Sequence, residues 1–519
     1  MPDDRGMTRR RAMGLGAAAM GSVAAYDILA GPARALAMTG PGTTAGIGYF
    51  ARFGVTEKLI QATLGEALSS GGDFADVFFQ HQVGNTYLLE DGAVNRAFAD
   101  VNLGVGVRVV KGDQTGYGFT EDLTPEGLRL AAKTAAAIAT GPSRPAPVSF
   151  RATGGLPARY AVKTRWEDVR PETKLPLLRS VNEQAMGADP RVRKVRVYFV
   201  DESGAMLLAD SNGQIVEDLQ PMTMMGLTCI AEQDGKREEN SYNVAARDDI
   251  SYYSPERIDR MVRGCIKDTM VLFEATPAPA GEMPVVLAAG SSGILLHEAI
   301  GHGMEADFNR KNVSIYSDKI GKLVAKPFVN IVDEGTQEHA RGAINVDDEG
   351  TVAGKTMLVQ DGVLTTYLHD KISAKHYGVA PTGNGRRESY QHSPMPRMRS
   401  TYMLPGPHKK DEIIASVKKG IYCTRFTNGQ VNIGAGDFTF YVKNGFLIED
   451  GKLTRPIKDV NIIGNGPKVL ELVDMVSDDL VIDEGGWTCG KDGQGVPVSQ
   501  GMPTVRVASI TVGGSTRKG

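Results

Sequence analysis

Two histidines five residues apart, His297 and His302, follow the largely apolar run Val285 to Leu296, with Glu298 between them. That spacing dictates what the backbone there can do. In the zinc-peptidase arrangement H-E-x-x-H, histidines four apart share one helix face and the glutamate polarises a water on the metal. Here the second imidazole comes one residue late. Five α-helical steps turn about 500°, leaving the two side chains about 140° apart instead of the roughly 40° of an i, i+4 pair. A straight helix would not chelate well. A π-bulge, whose wider turn brings i and i+5 together, or a helix end near Gly301 and Gly303 would restore convergence. On spacing alone two readings stand side by side: a pair of metal ligands, or a histidine His302 at a helix end favoured by the C-terminal dipole.

The 519 residues suffice for two or three domains with full cores, so stability does not require a metal. A net charge of -3, with 23% charged and 41% hydrophobic residues, gives no basic footprint for nucleic acid. Cys229, Cys265, Cys423 and Cys489 are too few for a disulfide framework and form no C-x-x-C pair. Cys489 stands apart in Gly485-Gly486-Trp487-Thr488-Cys489-Gly490-Lys491, a turn-like segment that could present a thiolate. The alternative is the usual small buried hydrophobe.

At the N-terminus, Thr8-Arg9-Arg10-Arg11-Ala12-Met13 precedes a Gly/Ala-rich stretch running to Ala30, followed by Ala35-Leu36-Ala37. This is the pattern of a twin-arginine export signal with an A-x-A cleavage site, against the alternative of a basic tail. The stretch is only mildly apolar and is interrupted by Asp27, too weak for a spanning helix. Residues 1–37 are expected to be the signal and the mature chain to begin near Met38. The expected location is the periplasm, reached after folding in the cytoplasm.

Past the signal, Thr56 to Ser69 has helical spacing. Alternation then predicts short strands at Ala75–Gln80, Asn85–Glu90, Arg96–Ala99 and Gly104–Val110. Helices are expected at Thr124–Thr140, Arg170–Gly187 and Pro255–Phe273, with strands at Val195–Asp201, Met206–Asp210, Gln214–Val216 and Met222–Glu232. This half reads as α+β, with helices on one side of antiparallel sheet. Ala275-Thr276-Pro277-Ala278-Pro279-Ala280-Gly281-Glu282 is a compositional break. The expected layout is an N-terminal α+β domain over 38–275, a linker over 276–282 and a β-rich C-terminal domain over 283–519. The C-terminal part carries the proposed ligands at a strand-to-helix transition, and Lys410 to Lys419 is expected to be a helix closed by Gly420.

The string from His297 through Gly301-His302-Gly303-Met304-Glu305-Ala306-Asp307-Phe308-Asn309-Arg310-Lys311 closely resembles the signature of the TldD/PmbA family, on its TldD side. Gly104 to Leu123, Thr382 to Tyr390, Tyr402-Met403-Leu404-Pro405-Gly406 and Cys489-Gly490-Lys491 with Gly493-Gln494 also look like family segments, in the same order. The resemblance implies a two-domain zinc metallopeptidase, the C-terminal domain carrying the metal site. By position, its metal ligands would be His297, His302 and Cys489, with Glu298 as general base. It also implies a dimer, either a homodimer or a TldD-type subunit paired with a PmbA-like one that lacks the motif. The export signal departs from the family's usual cytoplasmic setting.

A His2Cys set leaves a fourth tetrahedral position on Zn2+ for water, as catalytic sites do. The function this implies is hydrolysis of peptide bonds in small or unfolded peptides by a metal-activated water, Glu298 accepting its proton. Arg386 and Arg387 could bind a peptide carboxylate or backbone, or form structural ion pairs. Glu305 and Asp307 could orient the histidines or be solvated helix-end acids. His81, His339, His369, His376, His392 and His408 share no ligand spacing. The competing classes are a non-catalytic peptide-binding or scaffold subunit with a structural metal, and an amidase acting on a modified peptide.

Overall fold

Two long strands, Phe74–Glu90 and Ala93–Lys111, form a hairpin closed by Asp91 and Gly92, both at positive φ. That left-handed pair is what a tight two-residue hairpin turn demands. The computed structural model describes residues 47–514, so the twin-arginine segment and the cleavage site at Ala37 lie outside the described residues. The first sheet continues with Gln114–Thr120, Val192–Asp210, Gln214–Gln233 and Lys236–Ala246, antiparallel neighbour to neighbour. The four short strands expected in the first hairpin are therefore two continuous ones. Likewise, Val195–Asp201 and Met206–Asp210 belong to one strand. Ladder hydrogen bonds run through Gly84, paired with Asp100, where side-chain alternation lapses.

Helices Glu57–Ala67, Pro125–Ala136, Pro171–Ala188 and Pro255–Met270 all cover one face of this sheet. Three are opened by a hydroxyl accepting from the first-turn backbone: Thr56 from Leu59, Thr124 from Gly127 and Ser254 from Arg257. Val77, Phe79, Val105 and Leu207 pack under the first pair of helices, and Val197, Phe199 and Leu227 under the second. The period of two sends the intervening residues to the other face. There Phe78, Met206 and Leu208 pack against Val346 and Tyr390 from the second half of the chain. Gly104 and Gly106 sit under Tyr390, where a Cβ at Gly104 would lie 2.2 Å from its ring.

The second half builds a seven-stranded sheet whose ordered neighbours include Val505–Gly514, Gly281–Leu287, Lys419–Val431, Asp437–Glu449 and Lys452–Asn465. Lys452–Asn465 also pairs back with Val505–Gly514, which closes the sheet on itself. The expected helix at Lys410 to Lys419 stops at Ala415, and Gly420 lies inside the next strand. Glycine is needed there for close packing, since a Cβ would meet the Pro284 carbonyl at 2.4 Å. Thr276–Pro277 pairs with Ile457 and Lys458, and Gly281 and Glu282 already belong to a strand, so these residues join the second sheet. The segment carrying the histidines packs Leu295, Leu296, Ala299 and Ile300 in one core with Val285, Ile421, Phe440 and Val460 of that closed sheet. The fold is α+β, with more strand than helix.

Candidate metal centre

Directly after strand Gly281–Leu287 and a turn at Gly290, whose φ is 97°, the chain makes one α-helical turn, Ile294–Leu296. It then widens into a π-helix, His297–Gly301, and tightens into a 3₁₀ turn, His302–Met304. The N–H of His302 donates to the carbonyl of His297, an i+5 bond that brings the two imidazoles to one side. Their ring centroids are 5.1 Å apart and the planes nearly perpendicular, at 85°. Close packing fixes the widened turn. A Cβ on Gly301 would lie 2.0 Å from the sulfur of Met398, and one on Gly466 would lie 2.1 Å from the carbonyl of Ala299. Asn309 and Ser314 both donate to the Gly303 carbonyl and hold the 3₁₀ turn that follows.

Cys489 arrives from far along the chain, on the two-stranded hairpin Thr488–Lys491 and Gln494–Pro497. One donor atom each from His297, His302 and Cys489 lies within 4.8 Å of the others, and all three residues are buried. The Cys489 sulfur is 3.5 Å from Nε2 of His302. Burial opposes a thiolate at Cys489, but the two imidazoles beside it outweigh burial and hold the thiol well below its ordinary pKa. A thiolate is the form that binds metal.

His302 is held from behind. Its Nδ1 lies 3.0 Å from Oε2 of Glu305, which directs Nε2 toward Cys489. Lys491 Nζ is 3.1 Å from the same carboxylate oxygen and donates to Asp307 at 2.7 Å. Burial works against an ionised Glu305, yet Lys491 and His302 prevail and bring its pKa to about 2. Burial also opposes a charged His302, and Glu305 and Cys489 override it to raise that imidazole well above its ordinary value. Arg397, fully buried, donates to the Cys489 carbonyl at 2.5 Å and so fixes the hairpin from its backbone. Lys491 is the residue that pattern reading passed over. In a strand, residues two apart share a face, so Cys489-Gly490-Lys491 already places the ammonium on the thiol's side.

The donor set fits a soft-to-borderline divalent metal: two imidazoles, one thiolate and a carboxylate behind one imidazole. Nδ1 of His297 is buried with no hydrogen-bond partner among the described residues, which leaves that imidazole free of a competing protein bond on this side. Glu298 is half-buried and makes no hydrogen bond among the described residues. Burial, the largest influence, raises its pKa above the usual carboxylate value despite the neighbouring histidines. Strand Lys419–Val431 crosses it at Gly429, where a Cβ would stand 3.2 Å from the Glu298 Cγ.

Arg386 and Arg387 are buried and bond backbone carbonyls rather than the three candidate ligands, Arg386 lying close enough for the charge of Cys489 to act on it. Arg386 donates to the carbonyls of Met398 and Pro497, at 2.6 and 2.8 Å. Arg387 donates to the Asp348 carbonyl, stands 3.5 Å from Asp76 and lies over the Phe78 ring. Cys229, Cys265 and Cys423 are buried free thiols, and burial raises the pKa of each; Cys229 reaches about 11 and Cys265 about 12.

Three family models match in chain order: PmbA/TldA metallopeptidase domain 1 over residues 75–139, the central domain over 164–267 and the C-terminal domain over 280–514. The metalloprotease TldD homolog of Haemophilus influenzae is 40% identical over 451 residues, 85% of this chain and 93% of that protein. Its counterpart in Buchnera aphidicola from Acyrthosiphon pisum is 36% identical over 480 residues, 89% of this chain and 99% of that one. A protein of Saccharolobus solfataricus described as a zinc metalloprotease TldD homolog is 27% identical over 450 residues, 86% of this chain and 97% of that one. Among solved structures, TldE from Thermococcus kodakarensis superposes with a TM-score of 0.69 at 17% identity, over 88% of this chain and 99% of that one. A Thermotoga maritima protein, described as a candidate modulator of a DNA gyrase, gives 0.71 at 21%, over 88% of this chain and all of that one. At such identities these structures carry the fold alone.

Proposed function

From the premise that this chain belongs to the PmbA/TldD metallopeptidase family, we propose that it is a zinc-dependent peptidase. His297, His302 and Cys489 would hold the metal, and Glu298 would serve as general base. The observation that carries the reading is the π-turn His297–Gly301, which makes two histidines five apart converge on a buried cysteine. When bound, zinc supplies Lewis acidity, polarising a scissile carbonyl and lowering the pKa of a coordinated water. Thiolate donation moderates that acidity compared with a third imidazole. Glu298, with no hydrogen bond among the described residues competing for its carboxylate, would accept a proton from the attacking water and return it to the leaving amine. Glu305 fixes the His302 ring, and Lys491 keeps Glu305 ionised.

The substrates on this reading are small or unfolded peptides. Among the described residues no helix is long and apolar enough to cross a membrane. We further propose that the chain works as a dimer and leaves the cytoplasm folded and already metallated. Metallation before export would protect Cys489 from oxidation in the periplasm. Zinc acquired only after secretion would contradict that order. The test of the activity is cleavage of an unstructured peptide by the purified zinc-loaded chain beside Glu298→Gln. The variant is expected to keep its metal and lose on the order of a hundredfold or more in rate. Full activity in Glu298→Gln would contradict the assignment.

A further inference from the structure

Between the helix-free face of the first sheet and the hairpin that carries Cys489 lies a second cleft, of about 290 Å³. Phe78, Gln82, Glu202 and Met222 line it from the sheet, and Arg247 and Arg341 from the segments beyond. Arg247 is only 4% exposed. Its Nε donates to the Arg341 carbonyl at 3.3 Å and its guanidinium lies over the Tyr160 ring, yet neither Nη has an acceptor among the described residues. Arg341 is tied by Nε to the Trp487 carbonyl at 3.0 Å and by Nη2, at 3.4 Å, to the Thr488 hydroxyl, leaving Nη1 without an acceptor. Neither arginine makes an ion pair among the described residues. Burial, followed by the charge of Arg247 beside it, pulls the pKa of Arg341 down to about 10.

Two guanidiniums fixed by their Nε atoms face one cleft with Glu202 as a carboxylate whose charge both feel but which neither bonds, and their free Nη donors are a costly arrangement that an anion would relieve. The lining holds four arginines and three carboxylates, and Arg387 also stands 3.5 Å from Asp76 behind it, so the cleft carries little net charge. That balance suits a singly charged carboxylate better than a doubly charged phosphate. We propose that Arg247 and Arg341 form a binding site for a carboxylate carried by a peptide. The peptide carrier rests on the peptidase reading above; the affinity for a carboxylate does not. Glutamine side chains beside Phe78 and Met222 offer amide partners for a backbone and apolar surface for one side chain. The hairpin links this cleft to the metal centre. Thr488 lines the cleft, and its neighbour Cys489, pointing to the opposite face of the strand, meets the histidines.

The test measures binding without turnover, by fluorescence anisotropy on the zinc-loaded Glu298→Gln chain. Three probes serve: dansylated penta-alanine as the free acid, the same peptide as its C-terminal amide, and an amide whose last residue is Glu. The free acid is expected to bind on the order of tenfold more tightly than the plain amide. Arg341→Gln is expected to bring the acid to the level of the amide and leave the amide unchanged. Should that variant not fold, Glu202→Gln is expected to tighten the acid severalfold without affecting the plain amide. A Glu-terminated amide that binds like the acid identifies a side chain as the carboxylate source; one that binds like the plain amide identifies the chain terminus. Equal binding of acid and amide, or no binding of any probe, overturns the proposal. Acid preference without cleavage of any peptide by the unmodified zinc-loaded chain keeps the carboxylate site and removes the peptidase reading; cleavage with equal affinities does the reverse.

Discussion

Glu305 shows how one side chain sets the properties of another. It is buried completely, accepts from His302 and is kept ionised by Lys491, so the imidazole is fixed in orientation and tautomer before any metal binds. Glu305→Gln keeps the shape and removes the charge. Its zinc affinity, measured by competition with a chelator, is expected to fall roughly 10- to 100-fold. Unchanged affinity would mean that the carboxylate serves only packing. At this scale much was legible in the sequence. His297, Glu298 and His302 announce themselves by type and spacing, and Glu305 and Asp307 by proximity. Cys489 stood open between a presented thiolate and a buried hydrophobe until the family resemblance assigned it as a ligand, because its closeness to His302 arises from tertiary structure across 187 positions. The free donors of Arg247 and Arg341 had no signal at all, since a pattern cannot show which arginines lack partners.

At the scale of elements, the extra residue between the histidines is accommodated by widening the helix, one of the two repairs the spacing allowed. Gly301 is required there by Met398 rather than by its own dihedral angles, for its φ of -59° suits any residue. Gly301→Ala is expected to cost about 1–3 kcal/mol by overpacking and to lower zinc occupancy, read by denaturant unfolding and metal analysis. Met398→Ala in the same chain should restore part of both, because the two changes meet at one contact. No recovery in the double variant would place the cause elsewhere. Helices were largely visible from caps and periodicity. The long strands were not, because alternation reports burial, while residues 95–102 of Ala93–Lys111 are exposed on both faces and held in the sheet by their backbone ladder.

Across the whole molecule, the two halves of the chain meet through buried charge. Arg108 of the first sheet bonds both Asp76 and Glu349, and Glu349 accepts from the backbone N–H of Lys371 at 2.6 Å. Burial and the neighbouring Glu349 push Asp347 up to about 7 and Asp370 up to about 6. A carboxyl raised in the folded state contributes stability that is fully present below its unfolded pKa, near 4, and lost as pH rises through the folded value. Between pH 4 and 7 this junction is therefore expected to weaken as pH rises. Metal binding runs the other way, since its ligands must lose protons. The difference between the parent and Asp347→Asn, both zinc-saturated, isolates the effect. The variant should be less stable throughout, having lost a carboxylate that accepts from three backbone N–H groups, but its urea midpoint should fall less steeply with pH. Equal slopes would contradict the assignment.

The assembly of the metal centre from two distant parts of the chain is tested most directly by metal content. The purified chain and its Glu298→Gln variant are expected to hold about one zinc ion each, as a single site with three protein ligands would. His302→Ala and Cys489→Ser, folded by circular dichroism, should hold little. A Cys489→Ser chain that keeps its full zinc, or a parent chain that binds none when zinc is supplied, would contradict a His297, His302 and Cys489 centre.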